Sequence, residues 1–188
     1  GAPLYMARRS DGQRSELGRL YLYLGRGQQP LAGPPQTLTG THPYGRFGAA
    51  IASLGDLDKD GFGGERGWAL TCLLSPDVAV GAPQGGDSGS GQVFIFRGQS
   101  EGLAPVPTQR LNSPFPGPAA FGFALRGATD LDGNGYADLL VGAYGAAKVA
   151  VYQGLPVVVA RTQLSVPDGL NPESLDCVLP DSSVRVSW

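Results

Sequence analysis

The densest run of oxygen ligands in the chain is Asp130-Leu131-Asp132-Gly133-Asn134-Gly135-Tyr136-Ala137-Asp138. Side-chain oxygens stand at positions 1, 3, 5 and 9 of this run, on Asp130, Asp132, Asn134 and Asp138, and Tyr136 at position 7 can offer its carbonyl. Gly135 at position 6 permits the sharp turn that brings such ligands together. Three carboxylates and two neutral oxygens suit a hard divalent cation, and a flexible set with few obligatory waters favours calcium over magnesium. An EF-hand is excluded, because position 12 is Val141 where that motif needs a bidentate Glu. Asp, Asn and Gly also favour metal-free turns. Against that reading, three carboxylates within nine residues repel one another unless a cation lies between them.

A second acidic loop opens in the same way, with Asp56, Asp58, Asp60 and Gly61, and with Phe62 at position 7. Position 9 is Gly64 instead of an acid, and the matching acid, Asp77, comes 13 residues later. Two outcomes are expected. Either the extra residues 64–76 loop out and Asp77 still reaches the cluster, or the site stays open and binds metal poorly.

The elements that must position these loops are legible as an internal repeat. Phe121-Gly122 through Asp130-Leu131-Asp132 aligns with Phe47-Gly48 through Asp56-Leu57-Asp58 at a constant offset of 74. Asp138-Leu139-Leu140-Val141-Gly142-Ala143-Tyr144 aligns with Asp77-Val78-Ala79-Val80-Gly81-Ala82-Pro83 at an offset of 61, and the difference is the 13 extra residues. A third segment recurs as 18–25, 91–98 and 147–154, each alternating β-branched or aromatic residues with others between glycine or polar turns. Such alternation predicts strands. Each unit therefore reads strand, acidic loop, strand, glycine-rich turn, strand, and no segment carries a convincing helical period. An all-β unit of this length fits a propeller blade, whose inner strands bury both faces against neighbouring blades. The alternative, a β-sandwich with two similar loops by accident, does not account for glycines repeating in register.

Bulk composition agrees with this reading. The 188 residues include 30 Gly and 16 Pro, spread between short apolar runs as turn punctuation. A hydrophobic content of 41% with a net charge of only −2 can form a core, which argues against disorder. No basic cluster beyond Arg8-Arg9 exists, so no nucleic-acid partner is expected. No signal peptide or membrane-spanning run is visible. The first residues, Gly1-Ala2-Pro3, match Gly81-Ala82-Pro83, so the chain is expected to be a piece of something longer or a processed product. Cys72 and Cys177 could pair, but nothing in their spacing recommends it.

Phe-Gly, then Asp-x-Asp-x-Asp/Asn-Gly, then Gly-Ala-Pro resembles the FG-GAP repeat of integrin alpha chains. It stands here as Phe47-Gly48, Asp56 to Gly61 and Gly81-Ala82-Pro83, and as Phe121-Gly122, Asp130 to Gly135 and Gly142-Ala143-Tyr144. The resemblance implies that residues 1–154 are the last blades of a seven-bladed propeller, with calcium loops on the face away from ligand. It implies that residues 155–188 begin an immunoglobulin-like thigh domain, with residues 157–166 as its first strand. The family has a further cysteine shortly after the one matching Cys177, and this chain reaches Trp188 without it. It also implies a cell-surface adhesion receptor and not an enzyme, partnered by an integrin beta chain and by matrix or plasma ligands such as fibrinogen. In the family the residues that contact ligand, and most contacts to the beta chain, lie on blades earlier than those matched here.

Two other readings are open. The same propeller could belong to a secreted hydrolase or lectin, which sequence upstream of Gly1 would decide. Gly86-Asp87-Ser88-Gly89-Ser90-Gly91 echoes the nucleophile loop of trypsin-like proteases, with His42 upstream. That run falls in an inter-strand turn of the repeat, where glycine and serine are ordinary, and His42 between Thr41 and Pro43 reads as a surface turn residue. The extra residues 64–76 place Trp68, Leu70, Leu73 and Leu74 where no core can bury them. A new binding loop would be one explanation. A short retained intron fits better, because Gly-Glu can be encoded as a splice donor and Leu-Leu-Ser-Pro as a pyrimidine tract.

Overall fold

The structure, a computed structural model, describes residues 1–8, 12–25, 33–57 and 76–156, together with the backbone of 177–178 and 185–186. Asp58, Asp60, Phe62, Cys72, residues 64–75 and the expected strand 157–166 lie outside the described residues.

The described chain is all-β, with short 3₁₀ turns at Asp87–Gly89 and Tyr144–Ala146 and no α-helix. A short hairpin, β1 (Met6–Arg8) with β2 (Arg14–Glu16), opens it, and β3 (Arg19–Leu22) then pairs antiparallel with β4 (Gln36–Thr39). Next comes a four-stranded sheet of β5 (Ala50–Gly55), β6 (Asp77–Ala82), β7 (Gln92–Phe96) and β10 (Gln109–Asn112), in the order β10-β7-β6-β5. Between β7 and β10 lies a short hairpin of two-residue strands, β8 (Gly98–Gln99) with β9 (Gly102–Leu103). A three-stranded sheet follows, β11 (Phe121–Thr129), β12 (Asp138–Ala143) and β13 (Lys148–Tyr152), in sequence order. The C-terminal unit, Val158–Trp188, contributes one antiparallel pair, β14 (Cys177–Val178) with β15 (Arg185–Val186).

The three-strand unit read from the repeats is present in both copies, as β5-β6-β7 and β11-β12-β13. The structure adds a fourth strand to the first copy. β10 comes from the segment leading to the next repeat and pairs along β7, as β4 does along β3. These strands, Gln-Thr-Leu-Thr and Gln-Arg-Leu-Asn, have a single apolar residue each, too little for alternation to register.

Successive sheets stack face to face, and two apolar layers form between them. Leu20 and Leu38 meet Phe47, Val80, Phe94 and Phe96 in the first layer. Ala79, Val93 and Ile95 meet Phe121, Leu139 and Val141 in the second. Phe47 and Phe121 thus do the same work one repeat apart, each wedged edge-on against aromatic rings (Phe47 on Phe94, Phe121 on Tyr152). Fully burying a side chain of this size is worth about 1.5–3 kcal/mol. The glycines of the motif make the stacking close. A Cβ on Gly81 would run into the backbone carbonyl of Gly122 in the next repeat, and one on Gly1 would meet that of Gly48. Phe-Gly in one sheet and Gly-Ala in its neighbour are therefore a matched pair.

Candidate metal centre

The loop 130–138 joins β11 to β12, and those strands hold its two ends together: Thr129 stands opposite Asp138 across the ladder. Backbone N–H groups then orient the carboxylates. Asp130 accepts from Gly133 N–H (2.7 Å) and Asn134 N–H (3.2 Å) on Oδ1, and from Gly135 N–H (2.7 Å) on Oδ2. Gly133 and Gly135 sit at φ 76° and 83°, the left-handed region that a side chain would strain. Asp132 accepts from Asn134 N–H (3.1 Å) and from the Asn134 side-chain amide (3.1 Å). Asn134 Oδ1 in turn accepts from Tyr136 N–H at 2.8 Å.

Asp138 differs from the others in being fully buried, at 0% exposure. Its Oδ2 accepts from Leu131 N–H at 2.7 Å and its Oδ1 from Gly154 N–H at 2.8 Å, so it ties the loop to the end of β13. The result is that one carboxylate oxygen from each of Asp130, Asp132 and Asp138 lies within 4.8 Å of the others. The Gly135 N–H does most to hold the Asp130 carboxyl below its ordinary value; desolvation works the other way, and the Gly133 and Asn134 N–H groups add to the lowering. The arrangement converges negative oxygen on one point, which is the chemistry of a hard-cation site. Asn134 and Tyr136 are placed in the same loop, with the Asn134 Nδ2 directed to the Gly154 carbonyl at 2.9 Å.

Gly154 is the member of this site that sequence reasoning passed over. It closes the third strand of the unit, as Gly98 does one copy earlier, and that recurrence was the available signal. A Cβ there would run into Ala137 O and Tyr136 Cβ, so the loop and the strand end touch backbone to backbone.

In the first repeat, Asp77 is 4% exposed and occupies the place of Asp138. Its Oδ2 accepts from Leu57 N–H at 3.0 Å and its Oδ1 from Gly98 N–H at 2.7 Å, the same two bonds at the same two repeat positions. Asp77 also pairs with Gly55 across the ladder, directly before Asp56. The 13 extra residues therefore leave the acid that follows them in its repeat position. Asp58, Asp60 and Phe62, the other members of this loop, lie outside the described residues. His42 is exposed in a turn with its Nδ1 2.9 Å from the Pro43 carbonyl oxygen, and Ser88 is exposed in the 3₁₀ turn before β7.

A β-sheet unit carrying Phe-Gly, an acidic loop and Gly-Ala at these spacings defines an FG-GAP repeat, and the model of that family, "FG-GAP repeat", matches residues 121–158. Along its whole length the chain is 56% identical to integrin alpha-IIb of Mus musculus and of Homo sapiens, and 45% identical to integrin alpha-5 of Xenopus laevis. The chain belongs to the integrin alpha family. It spans 17% of the length of each of these relatives.

Proposed function

We propose that the loop 130–138 is a calcium site, with Asp130, Asp132, Asn134, Asp138 and the Tyr136 carbonyl as its ligands. The observation that carries this reading is the convergence of the three carboxylates within 4.8 Å, one of them fully buried. A buried carboxylate is costly unless an opposite charge compensates it, and FG-GAP repeats of integrin alpha chains are in general divalent-cation binding. Calcium fits better than magnesium because the ligands are numerous and held by a pliable loop. The first loop, with Asp56, Asp58, Asp60, Phe62 and Asp77, is proposed as a second and weaker calcium site. Titration of the chain with a luminescent lanthanide tests the assignment: a saturable site lost in Asp130→Ala supports it, and equal titration of both proteins overturns it. Affinity is expected at about 10⁻⁴–10⁻³ M, the range of extracellular calcium modules.

On this reading, residues 1–154 are stacked blades of a larger propeller and residues 155–188 open an immunoglobulin-like thigh domain. The exposures of Val149 and Val151, 60% and 53%, support the first part, since their repeat equivalents Val93 and Ile95 are covered at 0% and 5% by the next sheet. The longer protein would be an adhesion-receptor subunit at the cell surface, paired with an integrin beta chain. It would bind matrix or plasma ligands such as fibrinogen through that heterodimer and catalyse nothing. The similarity to alpha-IIb chains supports a platelet-type receptor. Among the described residues no helix is long and apolar enough to cross a membrane. Co-expression of the longer protein with a beta chain, followed by cation-dependent fibrinogen capture, tests this; the 188-residue chain by itself is expected to capture neither.

A further inference from the structure

Asn134 and Gly135 form the one Asn-Gly pair in the chain. In such a pair the glycine nitrogen can attack the Asn side-chain carbonyl carbon, because no side chain on the glycine shields it. The new N–Cγ bond closes a five-membered succinimide, the Cγ–Nδ2 bond breaks, and ammonia leaves with the proton that the glycine N–H gives up. Water then opens the ring at either carbonyl and leaves aspartate or isoaspartate. We propose that Asn134 is a latent site of this modification, armed by Tyr136 and locked by Asp130, and that its conversion loosens the end of β13 from the loop 130–138.

The arming contact is the Tyr136 N–H, which donates to Asn134 Oδ1 at 2.8 Å. That oxygen takes on negative charge as the ring closes, and a donor already in place there stabilises it. The lock acts on the nucleophile. Gly135 N–H donates to Asp130 Oδ2 at 2.7 Å, while the Gly133 and Asn134 N–H groups hold Oδ1 of the same carboxylate and keep it from swinging away. A carboxylate is far too weak a base to strip an amide, and its charge opposes the amide anion that ring closure requires. The leaving group is held as well, since Asn134 Nδ2 donates to Asp132 Oδ2 at 3.1 Å and to the Gly154 carbonyl at 2.9 Å. Asn134 is exposed, so water reaches it once the lock opens. The product carries a carboxylate where that donor stood. It repels Asp132 and no longer binds the Gly154 carbonyl, which leaves the end of β13 tied to the loop through the Gly154 N–H bond to Asp138. None of these contacts requires a cation, so the proposal stands apart from the calcium reading.

The test is incubation of the 188-residue chain in excess chelator at mildly alkaline pH, with peptide mapping by mass spectrometry to read aspartate plus isoaspartate at position 134. Wild type is compared folded and in urea, alongside folded Asp130→Ala and Val80→Ala, each below its unfolding transition. Val80 lies in the first apolar layer, so its truncation lowers stability without touching the lock. Folded wild type and Val80→Ala are expected to convert at least about tenfold more slowly than wild type in urea, and Asp130→Ala to come within about threefold of the urea rate. Asp130→Asn, which keeps an acceptor and removes the charge, is expected to fall between and serves if the alanine variant does not fold. Equal rates for wild type folded and in urea overturn the lock, as does an Asp130 variant that converts no faster than folded wild type or no faster than Val80→Ala. A second readout checks the consequence: in Asn134→Asp, which mimics the product, hydrogen exchange at the Gly154 N–H is expected to be about three- to tenfold faster than in wild type. Unchanged exchange there overturns the loosening of β13.

Discussion

The two repeats of this chain carry the same buried aspartate on the same two N–H groups, but they reach it by different routes. In the second repeat Asp138 follows Asp130 by eight residues, and the turn delivers it directly. In the first, Asp77 follows Asp56 by 21 residues and is delivered by the ladder, through its pairing with Gly55. The comparison teaches that the closing acid belongs to the strand more than to the loop. Asp77 and Asp138 are the first residues of β6 and β12, and the sheet places them whatever precedes them. The loop governs only how many other oxygens join them.

The sharpest way to break the comparison is to remove each aspartate. Asp138→Ala leaves the Leu131 and Gly154 N–H groups without their partner, and Asp77→Ala does the same to Leu57 and Gly98. Each should cost about 2–4 kcal/mol in chelator, measured by urea unfolding. In calcium at ten times Kd, Asp138→Ala should cost about 1.4 kcal/mol more, because wild type gains that much from the bound ion. Equal costs in calcium and chelator would show that the second loop draws nothing from metal.

A smaller effect is expected from deleting residues 64–76, which puts Asp77 at position 9 of its loop, directly after Gly63. Shortening the connection recovers about 1 kcal/mol of closure entropy, and the deletion variant should bind a second equivalent of lanthanide more tightly than wild type does. A variant less stable than wild type, or one that lost metal, would make these residues a structural part of the repeat and end the retained-intron explanation.

The smallest effect is on pH dependence. Asp130 is held below its ordinary value in the folded chain, so its contribution to stability is complete above the unfolded carboxylate value and is lost as pH falls through the folded one. Between those two values Asp130→Asn should flatten the stability profile in chelator. Its group is exposed, so the change in slope should be slight, and NMR titration of the Asp130 carboxyl is the measurement that resolves it.

Much of this was readable in the residues alone. The strands β7 and β13 declare themselves by alternation, and β5, β6, β11 and β12 by a repeat in register, since both patterns lie in the order of residues along the chain. The acidic run 130–138 declares its chemistry because its ligands are neighbours in sequence. What the residues could not decide is what depends on pairing between distant segments. Whether Asp77 returned after 13 extra residues was open until the β5–β6 ladder placed it opposite Gly55. Gly154 entered the site only because β13 ends against the loop, and β4 and β10 became strands only because an open edge of β3 and β7 supplied their hydrogen bonds. Spacing along the chain specifies which groups can converge within a turn; across a sheet, the ladder register decides, and that register is set by the apolar layers formed as one repeat buries its Phe-Gly edge against the next.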